Sequence, residues 1–158
     1  MVKTPWVLLI TGLPNSGKST LAYELVQRKV RNALIIDGDR HREMQFLGKK
    51  LGFSKEDILE NNAHVIKMAK FAQEQGMNAV IAQIAPYREQ RSLLRNSLQN
   101  YYEVYCYCDE NVRVNRPNFV GTELVYEAGG CNLWLNTSEY SIEESLDIIL
   151  EKWQEKNC

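Results

Sequence analysis

The stretch WVLLITGLPNSGKST, residues 6–20, decides the fold, because an apolar run feeds straight into Gly-x-x-x-x-Gly-Lys-Ser. It reads as a phosphate-binding loop between a buried strand and a helix. Gly12 and Gly17 let the backbone curl so that its N–H groups point inward, and Lys18 supplies a cation for the outer phosphates. A helix opening at Lys18 adds its positive dipole end at the same spot. Asn15, Ser16 and Thr20 complete the candidate ATP-binding set with Gly12, Gly17, Lys18 and Ser19, and the Ser19 hydroxyl is the first candidate ligand for Mg²⁺. Leu21, Ala22, Leu25 and Val26 follow at helical spacing, the context the loop requires.

Outward from the loop, strand and helix patterns alternate to the end of the 158 residues without a repeat or a low-complexity linker, which predicts one α/β domain with a parallel sheet. Strands are expected at 7–11, 33–37, 78–84, 102–108 and 131–135. Helices are expected at 18–29, 40–50, 54–75, 87–99 and 141–154, with Gly76 ending the third. Ser54 with Asp57, and Ser141 with Glu144, have capping-box spacing. The segment 109–130 has no clear periodicity, contains Arg113 and Arg116, and reads as a short lid.

Composition narrows the class. With 44% hydrophobic and 25% charged residues the chain suits a globular domain, and a net charge of −1 argues against a broad footprint for a nucleic-acid polymer. No apolar stretch reaches membrane-spanning length, and a cleavable leader would take the first strand with it. Cys106, Cys108, Cys131 and Cys158 lack paired C-x-x-C spacing and read as reduced core thiols, so the expected compartment is the cytoplasm.

Ligands of open parallel sheets sit beyond the carboxyl ends of the strands, so residues following strands carry the chemistry. Asp37 and Asp39 flank Gly38 at one such end. One carboxylate can face Mg²⁺ while the other takes the proton of an acceptor hydroxyl, and Asp39 is the candidate base beside Lys18. Arg42, Arg88 and Arg91 are candidate donors for a second anionic substrate. Phe53 and Phe119 are candidates for stacking on a nucleobase. His41 and His64 have no partner that spacing reveals and read as surface or helix residues.

In this order the motifs resemble the adenylylsulfate kinase family over nearly the whole chain. The residues are the loop at 12–20, D-G-D-x-x-R at 37–42, L-G-F-S-x-E-D at 51–57, E-N at 60–61, P-Y-R-x-x-R at 86–91, N-F-x-G at 118–121, Y-E-A at 126–128 and L-x-T at 135–137. The resemblance implies a P-loop NTPase three-layer α/β/α sandwich with a five-stranded parallel sheet. It also implies a phosphotransferase acting on the ribose 3′-hydroxyl of a small nucleotide. Asp39 then takes the base position, Arg42 and Asn61 sit on the acceptor, and Phe53 and Phe119 sandwich its base. Ile84, Tyr87 and Arg88 join the acceptor set, and Asp37 joins Ser19 at the metal. Members often pair, so a homodimer is among the expected assemblies.

Departures from the family pattern fall together. Ile58 stands where an arginine is usual, Ala63 and His64 replace a basic pair, Ala85 replaces a serine, and the lid has shrunk to 110–117. The groups that would recognise a doubly anionic, sulfated end are thinned. Losing one charge-assisted hydrogen bond costs about 1.5–3 kcal/mol. The expectation is therefore the same reaction on a nucleotide with a less charged end, as in the branch acting on cytidine diphosphoramidate. Adenylylsulfate itself, a small-metabolite acceptor and a non-catalytic ATP-binding regulator are the alternatives.

Overall fold

Strand β1 (Val7–Thr11, VLLIT) is buried along its whole length, as a strand covered on both faces must be. A computed structural model of the protein describes residues 4–44, 48–119 and 121–157. Around β1 it orders helix α1 (Lys18–Arg28), strand β2 (Ala33–Asp37), helices α2 (Gly38–Glu43) and α3 (Lys55–Glu74), strand β3 (Asn78–Gln83) and helix α4 (Arg88–Ser97). Strand β4 (Tyr101–Tyr107), helix α5 (Glu110–Val114), strand β5 (Leu133–Asn136) and helix α6 (Ile142–Asn157) complete it. The five strands pair in parallel in the order β2-β3-β1-β4-β5.

Alternation along β1 makes the three layers. Leu8 and Ile10 join Leu21 and Leu25 of α1 and Leu146 and Ile149 of α6 in one core. Val7 and Leu9 face the opposite way, onto Val65 and Ala69 of α3 and Leu94 of α4. The expected α/β/α sandwich with five parallel strands is what forms.

Helix boundaries follow local chemistry. The Ser54 hydroxyl accepts from the Asp57 N–H at 3.1 Å, while the Asp57 carboxylate turns to the Gly52 N–H at 2.9 Å, so only half of that capping box closes. Ser141 and Glu144 close both halves, at 3.2 and 2.7 Å. Helix α3 stops at Gly76, whose φ of +76° lets Met77 N–H return to the Ala72 carbonyl and Gly76 N–H to Gln73.

Some expected bounds are corrected. A helix over 40–50 is replaced by α2, which starts at Gly38 because Asp37 Oδ1 accepts from the N–H groups of Asp39 and Arg40 at 3.2 and 3.1 Å. It ends where Met44 turns extended, and Lys49 and Lys50 are not helical. Residues 45–47 lie outside the described residues. Strand β5 begins at Leu133 rather than 131, because the Asn132 side chain accepts from Glu103 N–H and ordinary pairing starts one residue later. The segment expected to lack periodicity contains α5. Of the described cysteines only Cys106 is buried, and burial pushes its thiol up to about 12; Cys108 and Cys131 are free and half-buried, and Cys158 lies outside the described residues.

Candidate active site

All the strands end at one edge of the sheet, and the loop after β1 occupies its centre. Gly12 has no room for a side chain, since a Cβ there would lie 2.2 Å from the Cys106 carbonyl oxygen and 2.6 Å from Ser16 Oγ. Gly17, at φ +97°, is the N-cap of α1, and no side chain caps that helix, so its first N–H groups face the loop for a phosphate to use. Ser16 Oγ is buried without a hydrogen-bond partner. Arg116 donates to the Asn15 carbonyl at 2.8 Å and to the Thr137 carbonyl at 3.0 Å, and Thr137 Oγ1 donates to the Ser16 carbonyl at 2.6 Å. The resulting cavity, about 690 Å³, is bordered by Asn15, Gly17, Lys18, Ser19, Thr20 and Arg116. Backbone donors, two cations and an orphaned buried hydroxyl are the donor set a polyphosphate needs. Ser19 with Asp37 and Asp39 supplies hard oxygen atoms of the kind Mg²⁺ takes.

Asp39 connects this cavity to a second one. Its Oδ2 lies 3.7 Å from Lys18 Nζ and its Oδ1 3.1 Å from Arg42 Nη1, so one carboxylate is held between two cations. Arg42 in turn lies over the Phe53 ring at 3.8 Å, with Phe53 55% exposed and its other face open to a ligand. Asp39, Arg42, Phe53 and Ile84 border a cavity of about 590 Å³, which the lid residues Gly121, Thr122 and Leu124 complete. Beneath it a pocket of about 20 Å³ is bordered by Asn61, Gln83, Ala85, Gln90 and Ile58. Asn61 Nδ2 donates to the Gly38 carbonyl at 3.0 Å and so braces the turn that carries Asp39. Ala85 holds a φ of +46°, costly for a residue with a Cβ, and Arg91 Nη1 fixes its carbonyl at 2.6 Å.

The α4 arginines are engaged with the chain itself. Arg88 gives Nε and Nη2 to the Ala128 carbonyl at 3.0 and 2.5 Å. Arg91, 1% exposed, donates to the carbonyls of Glu127 and Ala85 and stacks over Tyr126 at 4.7 Å. Arg95 reaches the Gly130 carbonyl at 2.8 Å. Under them the fully buried Glu103 meets Arg95 Nη2 at 2.8 Å, accepts from Tyr101 Oη at 2.9 Å, and forms an ion pair with Arg91 Nε at 3.2 Å that lacks the direction of a hydrogen bond. Burial and this carboxylate hold the Tyr101 phenol well above its ordinary range. Tyr126 stacks on Tyr105 at 4.4 Å and shares a 2.9 Å hydrogen bond with Thr11, and burial raises its phenol too. The lid is thus clamped over 127–130.

The structure gathers Asp39, Lys18, Arg42, Phe53 and Ile84 around the two cavities and Asn61 at the small pocket, while Asp37 caps α2 and borders none of them. Phe119, 37% exposed, sits by Arg113, whose guanidinium lies 5.3 Å from its ring, and does not border the Phe53 cavity. Tyr87 caps α4, with Lys55 Nζ 5.2 Å from its ring. Arg113 pairs with Glu110 at 2.8 Å and donates to the Pro14 carbonyl of the phosphate loop at 3.3 Å, but of the two lid arginines Arg116 is the one that borders the phosphate-loop cavity. Sequence reading missed Gln83, Gln90 and Glu103, which carry no motif. It also missed that His41 Nε2 lies 3.2 Å from His64 Nδ1. Burial and the nearby His64 lower the His41 pKa.

The sequence profile of adenylylsulphate kinases matches residues 4–122. A cytidine diphosphoramidate kinase from Campylobacter jejuni is 29% identical over 170 residues, covering 96% of this chain and 98% of its own. An adenylyl-sulfate kinase from Bacillus pumilus is 32% identical over 170 residues, covering 95% and 85%. The Mycobacterium tuberculosis APS kinase CysC, solved in complex with AMPPNP and APS, superposes with a TM-score of 0.81 over 96% of this chain and 98% of that one, at 24% identity, which is a likeness of fold. With three quarters of its length matched by that profile and a relative of 32% identity that covers 95% of it, the chain belongs to the adenylylsulphate kinase family and is a kinase.

Proposed function

We propose that this protein transfers the γ-phosphoryl group of ATP to the ribose 3′-hydroxyl of a small nucleotide, and that the acceptor is cytidine diphosphoramidate or a nucleotide with a similarly weakly charged end. The observation that carries the reading is the position of Asp39, which borders both the phosphate-loop cavity and the Phe53 cavity and lies beside a cation of each. A base shared by donor and acceptor sites is what in-line phosphoryl transfer requires.

In this reading Lys18, Arg116 and the N–H groups at the start of α1 bind the phosphates of ATP and hold the transferred group near Asp39. Asp39 accepts the proton of the acceptor hydroxyl, and Arg42 orients that carboxylate while offering charge to the acceptor's phosphates. Phe53 stacks on the base, Phe119 is brought to the acceptor when the lid closes, Tyr87 contacts the acceptor from the start of α4, and Arg88 steadies the lid. Ser19 and Asp37 would hold Mg²⁺, which neutralises phosphate charge when bound. Ile58 and Ala85, both buried at the small pocket, put apolar surface where a sulfated end would seek cations.

A second reading, adenylylsulfate as acceptor, is favoured by Arg42 and Asn61, which keep a cation and an amide beside that pocket. The free thiols fit a reducing compartment such as the cytoplasm, and no helix among the described residues is long and apolar enough to cross a membrane. Pairing into a homodimer belongs to the same proposal and is read out by sedimentation. Turnover of ATP and Mg²⁺ with cytidine diphosphoramidate, adenosine 5′-phosphosulfate, CDP and ADP, with products mapped by phosphorus NMR, tests the assignment. A 3′-phosphorylated cytidine product supports it, and exclusive turnover of the phosphosulfate selects the second reading.

A further inference from the structure

Three carboxamide side chains line the small pocket, and the oxygen of none has a hydrogen-bond partner. Asn61 Oδ1, Gln83 Oε1 and Gln90 Oε1 are all buried without a hydrogen bond, on residues 6%, 2% and 3% exposed. A single such group costs roughly 1–3 kcal/mol, so three around one 20 Å³ space need an explanation. Main-chain carbonyls fix the orientation of the Asn61 and Gln83 amides. Asn61 must give its Nδ2 to the Gly38 carbonyl at 3.0 Å, which leaves Oδ1 on the other side. Asn62 Nδ2 donates to the Gln90 carbonyl at 3.2 Å, so Asn62 Oδ1 accepts from Gln83 Nε2 at 3.1 Å, and Gln83 is left with its oxygen unpaired. Turning either amide over would set oxygen against oxygen.

The carboxamide wall of the pocket is therefore rich in acceptors, and the one cation in the lining, Arg42, is already held by Asp39 and the Phe53 ring. Its other walls are apolar, Phe53, Ile58, Ile84, Ala85, Pro86 and Leu124, except for Asp39 and Arg42, which pair with each other at 3.1 Å, and its volume admits about one water-sized group. It opens beside Asp39, Arg42 and Phe53, which also border the acceptor cavity. An oxyanion has only lone pairs to offer here, whereas a neutral –NH₂ group brings two donors on an atom of the right size.

We infer that Gln83 and Gln90, with Asn61, form a specificity pocket for an –NH₂ group of the acceptor nucleotide and select against an end that carries only oxygen. This rests on the nucleotide-kinase reading above and adds to it the groups that choose the substrate. The –NH₂ has two sources in one nucleotide, a terminal phosphoramidate or the exocyclic amine of the base, and both present the same chemistry.

The test compares kcat/KM for cytidine diphosphoramidate, uridine diphosphoramidate, CDP and adenosine 5′-phosphosulfate, with wild type, Gln83→Met and Gln90→Met. Wild type should prefer cytidine diphosphoramidate to the phosphosulfate by at least about tenfold. It should also prefer it by that factor to whichever cytidine or uridine analogue lacks the –NH₂ that is read. If CDP is the poor one, the terminal amide is the ligand; if the uridine compound is, the base amine is. Each substitution should shrink that preference about tenfold while leaving KM for ATP unchanged, and a thermal melt confirms folding. The ratio is taken within each variant, so a general loss of packing does not imitate the effect. Equal use of CDP, uridine diphosphoramidate and cytidine diphosphoramidate by wild type overturns the inference, as does an equal fall for all acceptors in both variants. Failure to phosphorylate any nucleotide overturns the kinase reading itself, and the pocket assignment falls with it.

Discussion

Replacing Glu103 by Gln removes the only negative charge that the described structure sets against Arg91, and the cost can be worked from the contacts. Glu103 is fully buried and Arg91 is 1% exposed, so the substitution strands a guanidinium that water cannot reach. Breaking a buried pair from one side typically costs about 3–5 kcal/mol. The Arg95 contact at 2.8 Å adds less than about 1 kcal/mol, because that side chain is 41% exposed and solvent screens it. Tyr101 Oη can still donate to the amide oxygen, so the 2.9 Å bond is mostly kept. A loss of about 4 kcal/mol should lower Tm by roughly 8–16 °C in a domain of this size. Calorimetry with a denaturant titration measures it, and Arg95→Ala is the control for the exposed contact, expected within about 1 kcal/mol of wild type. A Glu103→Gln melt within about 3 °C of wild type would refute the claim that this carboxylate anchors α4 beneath the lid.

Further expectations concern the site. Lys18→Met should abolish phosphoryl transfer while leaving the melt within about 1 kcal/mol of wild type in the absence of nucleotide, because the Lys18–Asp39 contact at 3.7 Å is a weak ion pair; ATP turnover and calorimetry read the two effects. Phe53→Ala should weaken acceptor binding by about 1–3 kcal/mol with ATP affinity unchanged, and Phe119→Ala by less, since only Phe53 borders the acceptor cavity; isothermal titration separates them. The His41 pKa lies below its ordinary 6.5 in the folded state, so the unfolded chain binds protons more readily. That contribution to stability is fully present above about pH 6.5 and is lost as pH falls through the lowered value, and melts between about pH 8 and pH 5 should show a decline that His41→Asn reduces.

What the sequence revealed and what it concealed divide along a physical line. The loop at 12–20 and the aspartates around Gly38 were legible because their function is written in consecutive residues, where a backbone turn and its side chains come as one unit. The parallel sheet was legible in the same way, from apolar runs of strand length. Arg88 and Arg91 show the limit. At helical spacing an arginine facing an anion and one facing a carbonyl read alike, and only the folded lid reveals that Ala128, Glu127 and Ala85 take their donors. Asp37 was read as a metal ligand, and its role as the cap that starts α2 two residues early depends on backbone geometry. Gln83, Gln90 and Glu103 were invisible because each looks like an ordinary strand or helix residue. Their meaning lies in which atoms remain unpaired, or become paired, across elements distant in sequence.

With Asp39 as the base joining the two cavities, single-turnover transfer from ATP to the acceptor by Asp39→Asn should run about 10²–10⁴-fold below wild type, while the same variant binds ATP within about threefold of wild type. Transfer at the wild-type rate would contradict that role.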